Sequence, residues 1–254
     1  MMNHVRHLAF ATFLSLALCA VWPAPGGTQA HDAPDESSLE VRVFRFLNEG
    51  VANPVLDAVM PVVTDFKRSR WLLIVVWAGL VLFGKEKGRW AALMLIPLIA
   101  ASDQISASLI KPLVERMRPC EVLGGVHLWY GPEGWITTPV EVVRSYKSSW
   151  SFPSSHATNI TAGMLFLGLV YRKALIPLLA LAVLVSWSRI YIGVHWPLDV
   201  LAGMAIGAAL GWLVYLVFRK IYPRRRRSDD EHGADGLLDD TGDGAPEEEV
   251  PHSM

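Results

Sequence analysis

The sequence predicts an all-α, polytopic helical membrane bundle of five spans behind an N-terminal signal peptide or signal anchor. Three observations carry that expectation. The 254 residues are 52% hydrophobic and 19% charged, with mean hydropathy +0.32, too apolar for an ordinary soluble domain. Five apolar segments, near residues 70–84, 90–110, 156–171, 174–191 and 197–218, approach the ~20 residues needed to cross a bilayer, and no segment reads as a strand. Basic residues gather in the connections that alternation places on one side.

Taken in order, a basic start (His4, Arg6, His7) precedes an apolar run over 8–22, and Thr28-Gln29-Ala30 offers a cleavage site. Residues 1–30 are therefore a signal peptide or an uncleaved signal anchor, and residue 31 begins outside the cytoplasm. Cys19 lies in that segment, so no intramolecular disulfide with Cys120 is expected, and Cys120 reads as a small buried residue. Residues 39–66 are apolar but broken by Asn48, Gly50, Pro54, Asp57 and Pro61, which suits an interfacial amphipathic stretch. The first and third spans are short and must recruit flanking residues such as Ser69 or Ser154.

Lys85, Lys87 and Arg89, then Arg172 and Lys173, then Arg219, Lys220 and residues 224–227 fall on a common side, which the positive-inside rule makes cytoplasmic. The loop 111–156 and the turn 188–199 then face outward, in agreement with the export signal. Trp129, Tyr130, Trp135, Tyr146 and Trp150 give the outward loop an interfacial character. Gly203, Gly207 and Gly211 form a small-residue stripe that lets another helix approach, with packing inside the bundle favoured over dimerisation. Residues 31–220 form the membrane domain. Residues 221–254 read as a basic-then-acidic, disordered cytoplasmic tail, because residues 228–254 hold ten acids and no Lys or Arg.

Ionisable side chains near spans need a reason, since each costs ~2.5–3.5 kcal/mol at a helix centre. Here they collect at span ends on the outer side: Lys111, Arg118, His156, Arg189, His195 and Asp199. Singly, each has a plain explanation, such as a snorkelling cation or a structural histidine. Together they match the needs of a phosphate group. Lys111, Arg118 and Arg189 supply cationic donors. Ser154 is placed to cap a helix whose first N–H groups, at Ser155 and His156, point at an anion. Pro197 in a first helical turn sets His195 and Asp199 one turn apart, so the carboxylate can hold one imidazole nitrogen while the other attacks phosphorus. His156 is left to protonate the departing oxygen. Asp103, inside the second span, reads as a structural hydrogen-bonding acid.

The pattern Lys111-x6-Arg118-Pro119, Pro153-Ser154-Ser155-His156 and Ser188-Arg189-x5-His195-x3-Asp199 resembles the three-part signature of the type-2 phosphatidic acid phosphatase superfamily, over roughly residues 40–220. The resemblance implies a nucleophilic His195 that forms a phosphohistidine, Asp199 as its partner and His156 as general acid. Lys111, Arg118, Ser154, Ser155 and Arg189 would hold phosphate. It implies no metal and no other cofactor. One departure is Ser155, where the family usually has Gly.

The implied activity is a metal-independent phosphatase acting on a lipid phosphate or diphosphate, with undecaprenyl diphosphate as first choice. Phosphatidylglycerol phosphate, phosphatidic acid and the lipid A 1-phosphate are alternatives. The implied place is the bacterial inner (cytoplasmic) membrane, multi-pass, with the site facing the periplasm or exterior. Lipids are the expected partners and nucleic acid is not; oligomeric state is left open. The competing readings are a lipid phosphotransferase using the same site and a non-catalytic scaffold or transporter. A haloperoxidase, which shares the superfamily site, sits poorly with multiple spans.

Overall fold

The computed structural model describes residues 34–139 and 149–238. The export segment, Tyr146 and the last part of the acidic tail lie outside the described residues.

The chain enters through α1 (Leu39–Arg45), capped by Ser38, and a π-helical turn (Phe46–Gly50). α2 (Pro54–Thr64) starts where Asn53 accepts the N–H groups of Val55 and Leu56 at 3.0 Å each, with Pro54 at the first position, where its missing N–H costs nothing. α2 buries Met60, Pro61 and Thr64 and exposes Val55, Val59 and Val62. That is the amphipathic character expected of residues 39–66.

Next come α3 (Phe66–Phe83) and α4 (Lys85–Asp103). α4 continues as a π-helical stretch (Gln104–Ile110) into the short α5 (Lys111–Val114). α5 ends on Glu115 with φ of 49°, a left-handed reversal that turns the chain back over the bundle. α6 (Pro119–Val122) follows.

The outward loop holds a small antiparallel hairpin, β1 (His127–Trp129) and β2 (Trp135–Thr137), with Leu128 opposite Ile136. This corrects the expectation that no segment is a strand: three residues are too few for alternation to show in the sequence. Asn48 anchors the hairpin. Its amide donates to the carbonyls of His127 (2.8 Å) and Tyr191 (2.6 Å), and its oxygen accepts the His127 N–H (3.0 Å). Trp129 and Trp135 are half-buried and pack edge to face, so the loop aromatics belong to the protein core as much as to an interface.

α7 (Ser155–Val170), α8 (Leu175–Tyr191) and α9 (Pro197–Leu238) complete the bundle, with α7 packed against α4, α8 and α9. The glycine stripe settles its own role. A Cβ on Gly203 would lie 2.6 Å from the Ser154 carbonyl oxygen, and one on Gly207 would collide with that of Thr158. α9 therefore rests directly on the α7 backbone, and the stripe packs within the bundle. α9 remains helical through Leu238, past the boundary at 220 and into the stretch expected to be disordered.

Among the described residues, three helical stretches are long and apolar enough to cross a membrane: Lys85–Val122, Arg172–Tyr191 and Pro197–Tyr222. α3 starts four residues before the expected span, at Phe66, and ends one residue before its end, at Phe83. α7, at 16 residues, covers about 24 Å and starts at Ser155, leaving Ser154 as its cap. Two apolar clusters form. One lies around Leu98, Phe166 and Phe218, and the other, around Phe44, Met60, Leu128, Tyr191 and Trp196, underlies the outward loop.

Candidate active site

Three chain reversals build the site. The αL turn at Glu115 sends Arg116 and Arg118 back across the helix ends. Ser154, buried, caps α7 by accepting the Ala157 N–H at 3.5 Å. The turn between α8 and α9 depends on Gly193, whose φ is 80° and where a Cβ would meet Val126 at 2.8 Å and the His127 carbonyl at 2.9 Å. The Ser154 N–H donates to the Asp199 carbonyl (3.0 Å), tying the start of α7 to the first turn of α9.

Arg118, 4% exposed, is the most heavily bonded cation. Its Nη1 donates to the Val194 carbonyl (2.7 Å) and lies 3.3 Å from His195 Nε2. Nε donates to the Ser149 carbonyl (2.9 Å), and Nη2 to Ser149 Oγ (3.0 Å) and the Trp150 carbonyl (3.2 Å). Nε2 accepting from a guanidinium leaves the ring proton on Nδ1. Nε2 is thus the nitrogen with a lone pair aimed among the cations.

Asp199, fully buried, lies at the third position of α9 and accepts the Trp196 N–H at 2.9 Å, as in the reach-back half of a capping box. The Ser151 hydroxyl donates to the same oxygen, Oδ2, and Arg116 Nη1 donates to Oδ1 at 2.8 Å. His195 Nδ1 lies 3.5 Å from Oδ2 without a hydrogen bond to it, and the Ser151 backbone also faces the ring. The predicted His195–Asp199 pairing is therefore a close contact without a hydrogen bond, because two donors already hold the oxygen that faces the ring.

Lys111, 8% exposed, and Arg189 complete the cationic side. Arg189 donates through Nη1 to Thr64 Oγ1, while its Nε, like Ser155 Oγ, is buried without a partner among the described residues. His156 is half-buried on the first turn of α7, within electrostatic reach of Lys111, Arg118, Arg189 and His195. Burial, then the charges of Arg118, Arg189 and Lys111, hold the His195 imidazole well below the usual histidine range, so it is neutral at neutral pH. All eight residues singled out from the sequence thus meet at one end of the bundle. Asp103 lies one helical turn below, accepting the Asn159 amide at 3.1 Å.

Sequence reasoning missed Arg116, Ser151 and Thr64. Arg116 was legible in principle, since a buried Asp199 needs a countercharge and Arg116 is two residues from Arg118. Ser151 and Thr64 carry no signal of their own.

The sequence pattern of the PAP2 superfamily matches residues 92–223, which contain all eight site residues expected from the sequence, together with Arg116 and Ser151. The chain belongs to the PAP2 superfamily. It resembles the lipid A 4'-phosphatase of Bacteroides thetaiotaomicron, with 29% identity over 74% of this chain and 80% of that one. It also resembles the undecaprenyl-diphosphatase of Sulfolobus acidocaldarius, with 32% identity over 59% of this chain and 74% of that one. Among solved structures, the transmembrane PAP2-type phosphatidylglycerolphosphate phosphatase from Bacillus subtilis shares the fold, with a TM-score of 0.55 and 23% identity. The match covers 84% of this chain and 96% of that one. The protein is a PAP2-type membrane lipid phosphatase and a phosphoric ester hydrolase.

Proposed function

We propose that this PAP2 protein removes phosphate from a lipid phosphate or diphosphate on the outer face of the membrane through a phosphohistidine. Lys111, Arg118, Arg189, Ser155 and the first N–H groups of α7 hold the phosphoryl oxygens. His195 Nε2 attacks phosphorus as the bond from phosphorus to the lipid oxygen breaks, and His156, which takes up a proton once the negative phosphate offsets the surrounding cations, gives that proton to the departing oxygen. His156, now neutral, takes a proton from water, whose oxygen attacks phosphorus. The P–N bond breaks, inorganic phosphate leaves, and His195 is restored. Asp199 offsets the positive charge that the imidazole carries while phosphorylated.

The observation that carries this reading is the pair of buried donors without acceptors, Ser155 Oγ and Arg189 Nε, beside a neutral imidazole nitrogen aimed among cations. Unpaired buried polar atoms also occur within the bundle, at Thr161 and Ser186, but these two donors lie among three cations and an imidazole, which suits an anionic ligand.

Five spans, α3, α4 with its π-helical extension, α7, α8 and α9, put the site outside and the α9 C-terminus in the cytoplasm. Supporting this, basic residues at the start of α4 (Lys85, Lys87, Arg89), before α8 (Arg172, Lys173) and late in α9 (Arg219, Lys220) lie at the end of the bundle opposite the site.

Purified protein tested with undecaprenyl diphosphate, a lipid A phosphomonoester, phosphatidylglycerophosphate and phosphatidic acid should release inorganic phosphate from at least one. Undecaprenyl diphosphate remains the first choice, and the lipid A substrate is its direct competitor because relatives named for each activity match the chain. Phosphate appearing on a second lipid, with none free, would replace hydrolysis by transfer. Folded protein inert on all four would overturn the reading.

A further inference from the structure

Arg116 touches none of the groups that hold phosphate, yet it is the centre of a network around Asp199. Its Nη1 donates to Asp199 Oδ1 at 2.8 Å and its Nη2 to Glu40 Oε2 at 2.5 Å. Its carbonyl accepts the Ser151 N–H at 2.7 Å, and the Ser151 hydroxyl in turn holds Asp199. Its guanidinium lies over the Trp196 ring, 5.2 Å from the centroid, and the Trp196 N–H holds Asp199 as well. Glu40, on α1, also accepts the N–H of Leu198, next to Asp199, at 3.3 Å through its other oxygen. A bidentate fork gives such a cation a fixed geometry.

We propose that Arg116 and Glu40 are positioning residues of the reaction. Arg116 fixes the orientation and charge of Asp199, and Glu40 sets how much of the Arg116 charge that carboxylate receives. The proposal rests on His195 as nucleophile with Asp199 behind it. Asp199 has Oδ2 toward His195, held by two neutral donors, and Oδ1 toward a cation. That division gives the carboxylate a countercharge and neutral donors without placing the cation between it and the imidazole. Glu40 withdraws part of the guanidinium charge, so more of the Asp199 charge remains to offset the phosphorylated imidazolium. The other ionisable groups facing Asp199 are His195, Lys111 and Arg118. They are unchanged in the variants below, so the sign of each difference belongs to the pair.

The experiment is the pH profile of kcat for phosphatidic acid in mixed micelles, for Arg116→Met, Arg116→Lys, Glu40→Gln and Asp199→Asn. Arg116→Met removes a cation beside the carboxylate. The acid limb should move up by about one pH unit or more, and kcat at neutral pH should fall about 10–100-fold with KM little changed. Arg116→Lys should return the limb toward its original place with only part of kcat, since one ammonium cannot hold both carboxylates. Glu40→Gln keeps an acceptor and removes an anion, so its limb should move the other way, to lower pH.

A bolt that merely fastens α1 to the bundle would lower kcat or thermal stability without moving either limb, and that result overturns the proposal. If Arg116→Met does not fold, Glu40→Gln decides alone: a limb that stays or moves up contradicts it. Full activity in Asp199→Asn would instead overturn the underlying reading of the site.

Discussion

The carboxylate and phosphate sides of the site differ in how completely their polar groups are paired. Around Asp199, both oxygens are occupied, by Ser151, Trp196 and Arg116, and Arg116 is itself paired with Glu40. Around the start of α7 and the end of α8, Ser155 Oγ and Arg189 Nε are buried with no partner among the described residues. Burial is similar, so exposure does not explain the contrast. A satisfied network resists movement, and an unsatisfied one is stable only when another term supports it. Here that term is packing: α9 lies on the α7 backbone through Gly203 and Gly207, which holds the unpaired donors in place. The paired side positions the reacting group, and the unpaired side is kept ready for an anion.

The variant expected to matter most is His195→Ala, which removes the one group that belongs to both sides. Activity should fall by about 10⁴-fold or more on every substrate, because a nucleophile is needed whatever group leaves. Comparable residual rates on monoesters and diphosphates, measured by phosphate release, would be consistent. A variant that kept a tenth of the wild-type rate would remove His195 from the chemistry.

His156→Ala comes next and separates leaving groups. General acid help is worth ~10²–10⁴-fold and matters most for a basic leaving oxygen. A phosphatidic acid alkoxide should therefore suffer far more than a lipid diphosphate or an aryl phosphate. Equal losses across leaving groups would give His156 a phosphate-holding role only.

Gly207→Leu tests the packing that supports the unpaired side. Its side chain would drive α9 off the Thr158 carbonyl, with a cost of about 1–3 kcal/mol or more, read as a lower thermal midpoint in detergent. The Asp199 network should survive better than phosphate binding, which would appear as a rise in KM.

The smallest effect is in pH. Burial and three cations depress the His195 pKa in the folded protein, so below the unfolded value near 6.5 the unfolded chain binds a proton that the folded chain refuses. Stability should therefore fall as the solution is acidified through about 6.5, by up to about 1.4 kcal/mol per unit from this group. His195→Gln should flatten that slope. So should bound vanadate or phosphate, whose charge offsets the cations.

What the sequence made legible follows the same divide. The helices were visible because apolar runs of membrane length leave few alternatives, and the phosphate-holding residues because cations at span ends demand a reason. The satisfied network was not visible. Ser151 and Arg116 stand 48 and 83 residues from Asp199, on a loop with no periodicity, and Glu40 lies on a short helix before the bundle. The hairpin was missed because three-residue strands are fixed by Asn48 and the α8–α9 turn, a tertiary cause rather than a local one.

The central claim is a covalent bond between phosphorus and His195. Protein mixed with a lipid labelled with radioactive phosphate and quenched within the first turnover should carry label that survives alkali and is lost in mild acid, as a P–N bond is. His195→Ala should carry none, and His156→Ala, given a lipid diphosphate whose leaving group needs little protonation, should carry at least as much as wild type, because its phosphoenzyme lacks the base that activates water. Label that is absent from wild type under single-turnover conditions, or that persists in His195→Ala, would contradict the account.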